Sequence, residues 1–140
     1  MTLKEQIHKN LLAVISLMVA LAALGYNTWR NERTEHNRNL RTAGFEILLH
    51  VGELQRVTYL AHFDRDRREG NPRKGWTEVM VLKDLSELMP GDQRLRTDGL
   101  LTAWREHWEE LGSDERSVTV IDAAIDDVRQ DTLAILRRLD

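Results

Sequence analysis

The chain has no cysteine, only two prolines, eight glycines and few aromatic residues, 6% of 140 positions. Without cysteine there is no disulfide framework, thiolate metal site, iron-sulfur cluster or catalytic thiol, whichever compartment the chain occupies. Scarce proline and few β-branched runs point to helices. Neither sign of charge dominates. Lys plus Arg number 20 against 23 Asp plus Glu, a formal charge of −3, which argues against a surface built throughout to follow a phosphate backbone. No nucleic-acid partner is expected. The length allows one modest domain.

What is present is one long apolar run. Leu11 to Tyr26 reads LLAVISLMVALAALGY, without a charge. A helix needs about 20 mainly apolar residues to cross a hydrocarbon layer of about 30 Å. Ile7 extends the run, Lys4, His8 and Lys9 can snorkel, and Tyr26 with Trp29 supplies rings suited to the opposite headgroup layer. These residues predict a single membrane-spanning helix within residues 1–29, with residues 30–140 forming an extramembrane helical bundle. Two other readings fit the same run. Ala20-Leu21-Ala22 satisfies the small-x-small pattern of a cleaved secretory signal, and a uniformly apolar helix can also be the core of a globular domain. The expected site is the plasma (inner) membrane. Counting Lys and Arg alone puts the carboxyl side inside, whereas the signal-anchor character of the start favours the outer, periplasmic face.

Beyond the run, Asn27 to Asn39 is almost wholly polar and residues 27–63 hold no proline. Leu40, Gly44, Ile47, Val51, Leu54, Thr58 and Ala61 form a coiled-coil-like seam at heptad spacing, so the first helix is expected to continue outward unbroken. Gly70, Asn71 and Pro72 end it. A second helix over Trp76 to Met89 stops at Pro90-Gly91. Asp92 suits the N-cap of a third, in which Leu101, Trp104, Trp108 and Leu111 recur at three and four, and Gly99 bends that helix or delays its start. Ser113 caps the last helix, with Asp114 and Glu115 at its positive end. Val118, Ile121, Ala124, Ile125, Val128, Ile135, Leu136 and Leu139 then mark its apolar stripe. The expected fold class is all-α: an N-terminal transmembrane helix continuing into an antiparallel four-helix bundle.

Three groups of residues are candidates for function. Ala13, Ser16, Ala20 and Ala23 share one side of the apolar helix, and small faces let helices approach closely in lipid; ordinary anchor composition is the plainer account. Arg65, Arg67, Arg68, Arg73 and Lys74 crowd the loop after the first helix, while residues 91–140 carry 7 basic and 12 acidic side chains. That asymmetry suits a partner-binding loop, against the plainer account of a solvated turn. Trp104 and Trp108, one turn apart, could wall a ligand, though core packing explains them as well. Glu46 with His50 and His107 with Glu110 do not make the facing Glu-x-x-His pairs of a bundle metal site. No phosphate loop or nucleophile elbow is present. No metal, cofactor or catalytic activity is expected. The layout is similar in outline to the extracytoplasmic sensing modules of bacterial receptors, which return through the membrane, whereas this sequence holds a single apolar run. The expected function is a non-enzymatic, single-pass membrane protein that binds another protein or another copy of itself, as an accessory subunit of a membrane complex. The alternative is a bundle that senses a small molecule between its helices.

Overall fold

The computed structural model describes residues 2–139; the side chain of Ile7, expected to lengthen the apolar run, lies outside the described residues. Among these residues there are five α-helices and no strand. They are α1 (Leu3–Lys9), α2 (Leu11–Tyr59), α3 (Pro72–Ser86), α4 (Gln93–His107) and α5 (Glu115–Arg137), with a π turn at Leu60–Asp64 and a 3-10 turn at Trp108–Glu110. The chain divides into two compact units, Met1–Arg38 and Asn39–Asp140. The 29/30 boundary drawn from composition marks the end of the apolar run. Residues 30–38 beyond it are polar and helical, and have no core to pack on.

In the first unit, the Thr2 N–H donates to the Glu5 carboxylate at 2.9 Å and so holds the start of α1. Asn10 leaves helical geometry (φ −108°, ψ 18°) and separates α1 from α2. Along α2 from Leu11 to His36, every side chain is exposed. This stretch is long and apolar enough to cross a membrane, and none of its apolar window is buried. The burial pattern is therefore not that of a core helix, whose apolar residues would be covered by neighbours. Ser16, Thr28 and Thr34 each donate their hydroxyl to the carbonyl four residues earlier, at 2.8, 3.0 and 2.9 Å. Their polar groups are thus satisfied within the helix itself.

The second unit has one core, fed by the second half of α2 and by α3, α4 and α5. Every member of the heptad seam is buried: Leu40, Gly44, Ile47, Val51, Leu54 and Thr58 on α2, and Ala61 in the π turn. Val79, Leu82, Leu100, Trp104, Ile121, Ile125 and Val128 meet them, all fully enclosed. Removing such side chains from water at roughly 1.5–3 kcal/mol each is the main term holding the unit together. Polar ties set which helices face one another. Gln55 and Tyr59 on α2 both donate to Asp122 on α5, His50 on α2 meets Glu78 on α3 at 2.6 Å, and Lys83 on α3 pairs with Asp98 on α4. Arg96 on α4 reaches both oxygens of Asp127 on α5 at 2.9 Å.

Several local expectations need correction: the first helix ends at Tyr59 and the π turn Leu60–Asp64 rather than at Gly70–Pro72, and α3 ends at Ser86 rather than Met89. Helix α3 begins at Pro72 rather than Trp76, because Pro at the first helical position needs no N–H partner and the Asn71 side chain accepts from Arg73 N at 3.0 Å. Asp114 rather than Ser113 caps α5, accepting from the N–H groups of Arg116 and Ser117. Gly99 does not delay α4, which runs through it from Gln93; an added Cβ would meet nothing within 4 Å.

Candidate functional site

The π turn and the loop behind it shape two clefts of the second unit. Inserting an extra residue into the ladder at Leu60–Asp64 changes the direction in which side chains leave the helix, a device found frequently at functional positions. The turn ends on Arg65, the one described non-glycine residue with positive φ, at 50°. That left-handed backbone costs a side-chain-bearing residue roughly 1–2 kcal/mol. Asp66 N then returns to Leu60 O at 3.0 Å. Asp66 also accepts the N–H groups of Arg68 and Glu69 on one carboxylate oxygen, at 2.8 and 3.0 Å. These backbone bonds hold its carboxyl below the usual carboxylate range. Gly70 follows because nothing larger fits. A Cβ there would lie 2.4 Å from Ala61 N and 2.5 Å from the Leu60 carbonyl carbon.

The first cleft, about 460 Å³, lies among Ala61, Arg65, Arg67, Gly70, Arg73 and Glu109, with Asp66 also on its wall. Arg65, Arg67 and Arg73 are exposed, and none has an ion-pair partner among the described residues. The other two cations of the predicted loop lie outside this wall. Arg68 is 93% exposed and Lys74 half so, and both approach Glu69, at 4.0 and 3.2 Å, where Arg56 also arrives at 3.8 Å. The structure thus splits the five-residue loop into three unpaired guanidiniums around a concavity and two cations engaged with Glu69.

The second cleft, also about 460 Å³, was not visible in the sequence. It sets Tyr59, His62 and Phe63 opposite Glu115, Asp122 and Asp126 of α5. Phe63 is edge-on to both Tyr59 and His62, with ring centroids 5.7 and 4.8 Å away. The Tyr59 hydroxyl donates to Asp122 at 3.0 Å; burial first, and this carboxylate second, push the phenol above its usual value. His62 Nδ1 is 2.9 Å from Leu111 O. Asp126 is 3.3 Å from Arg129, while Glu115 has no ion-pair partner among the described residues. The seven-residue separation of Asp122 and Glu115 would have placed both on one face of the last helix, but nothing in the sequence says that Tyr59 and Phe63 face them.

No protein-family model, curated protein or solved structure matches the chain.

The remaining candidates fall in separate places. Ala13, Ser16, Ala20 and Ala23 are exposed along α2 in the first unit. Near them the Tyr26 and Trp29 rings are 6.1 Å apart, and the Arg33 guanidinium lies 5.6 Å from the Trp29 ring centroid. Trp104 is fully buried in the core of the second unit. Trp108 is half-buried, edge-on to Trp76 with centroids 6.0 Å apart. The two rings expected to act as a wall therefore have different surroundings.

Proposed function

We propose that the protein is a single-pass membrane-anchored, antiparallel four-helix-bundle protein that binds another protein, as an accessory subunit of a membrane complex, with no catalysis of its own. The tether reading is supported by an apolar helix none of whose window is buried. Soluble monomers rarely expose contiguous apolar patches beyond a few hundred Å², whereas a bilayer accepts such a helix without penalty. The Tyr26–Trp29 pair with Arg33 suits the end of a span at the headgroup layer. The plasma membrane with the bundle on its outer face is the arrangement proposed.

The observation that carries the binding reading is the cleft with three guanidiniums left unpaired by the protein's own carboxylates. Arginine forks match carboxylates in pairs of parallel hydrogen bonds, and long-range charge raises encounter rates with an oppositely charged surface. In vivo crosslinking on intact cells, followed by capture of the full-length protein, tests it. Arg65→Glu, Arg67→Glu and Arg73→Glu together should remove the crosslinked partner that the wild-type chain retains. An unchanged set of partners would contradict the reading.

A further inference from the structure

The two clefts are equal in size and opposite in charge, and both border the Leu60–Asp64 turn of the Asn39–Asp140 unit. Three guanidiniums outnumber the two carboxylates, Asp66 and Glu109, at the first. Three carboxylates, with no Lys or Arg, line the second beside His62. Of those carboxylates, Glu115 is unpaired among the described residues, Asp122 is held by the neutral Tyr59 and Gln55, and only Asp126 meets a cation, Arg129. Each cleft carries a charge that its own chain does not balance.

The second cleft has the chemistry that a guanidinium selects. Carboxylates accept its planar fork, and aromatic faces attract a weakly hydrated cation. Phe63 is 68% exposed there, an apolar ring in water that a stacked guanidinium would cover. We propose that the partner is a second copy of this chain, the Arg65 and Arg67 side chains of one copy seating between Phe63 and Glu115 of the other. This rests on the reading of the arginine cleft as a docking surface, and names its occupant. Because both clefts flank one turn, a two-fold pair makes the contact twice and closes on itself rather than growing into a filament.

The test uses full-length protein in mild detergent, with Ser16→Leu and Ala20→Leu in every preparation so that packing of the apolar helices does not contribute. Sedimentation then measures self-association of three proteins: otherwise unchanged, Arg65→Glu with Arg67→Glu, and Glu115→Arg with Asp126→Arg. Each charge-reversed protein should associate more weakly by about tenfold or more, and an equimolar mixture of the two should recover one-to-one pairs. Recovery also shows that both are folded. A monomeric unchanged protein, variants that associate as tightly as it does, or a mixture of folded variants that fails to pair would each overturn the assignment. Capture of a different protein that is lost on charge reversal would overturn the second copy alone and leave the docking reading standing; capture indifferent to charge reversal would remove the docking reading itself.

Discussion

The Trp104 indole lies against Gly75, so closely that a Cβ at position 75 would fall 2.1 Å from Cζ2 and 2.3 Å from Cη2. This contact joins the first turns of α3 to the last turn of α4 and explains why a glycine sits inside a helix where it otherwise weakens the structure. The ring is fully enclosed, so it has no free volume into which to retreat. Gly75→Ala should destabilise the protein by about 1–3 kcal/mol despite the better helix propensity of alanine. Urea unfolding followed by tryptophan fluorescence measures it, and an unchanged midpoint would mean that the ring is not held here.

A buried polar pair ties α4 to α5. Gln93 Nε2 donates to Thr132 Oγ1 at 2.9 Å, and Thr132 in turn donates to Val128 O at 2.8 Å; both side chains are fully buried. Gln93 Oε1 has no hydrogen-bond partner among the described residues. Thr132→Val alone leaves the Gln93 amide unsatisfied and should cost about 1–3 kcal/mol, whereas Gln93→Leu with Thr132→Val removes both polar groups and should be close to neutral. The double-mutant cycle by chemical denaturation checks the sign of that difference.

Acid should loosen the second unit at its caps. Asp66 is lowered by the N–H groups of Glu69 and Arg68, and Asp114 chiefly by the Ser117 hydroxyl, each from an ordinary 3.8. A depressed folded-state value means the stabilisation is complete above the unfolded value and is lost as pH falls through the folded one. The melting temperature should therefore be flat with respect to these two groups above about pH 5 and fall below about pH 4. Asp66→Asn with Asp114→Asn should flatten the acid limb, and a limb unchanged in slope would exclude these caps as its source.

Self-packing of the apolar helices has its own test. Ser16 already satisfies its hydroxyl by donating to Leu12 O, so the small face of Ala13, Ser16, Ala20 and Ala23 offers close backbone approach rather than a needed hydrogen bond. Ser16→Leu with Ala20→Leu should abolish crosslinking between these helices in vesicles. Persistent crosslinking would show that a different face, or none, mediates it.

The heptad seam was legible because a 3.6-residue pattern reports burial directly, and Leu40 through Ala61 are buried as their spacing implies. Element ends were less legible. Asn71 and Asp114 compete with neighbours of similar capping strength, and only the backbone geometry decides which side chain reaches an N–H. The arginine loop was legible as charge but not as a cleft, since its shape depends on the left-handed Arg65 and on Gly70 touching the backbone of Leu60 and Ala61. The second cleft was illegible, because a π turn has no composition signature and Asp122 lies far along the chain from the Tyr59 it accepts from. Leu88 shows the same limit. It belongs to an apolar cluster in sequence yet is 63% exposed, while its neighbour Met89, also beyond the end of α3 at Ser86, is buried.

The tether reading places the apolar helix in lipid. Cell fractionation of the full-length protein, with alkaline carbonate extraction and an intact mass on the recovered chain, tests this most directly. The uncleaved polypeptide should remain in the membrane pellet after carbonate and be released only by detergent. Uncleaved polypeptide in the aqueous supernatant, or a mature chain beginning after Ala22, would contradict the tether reading.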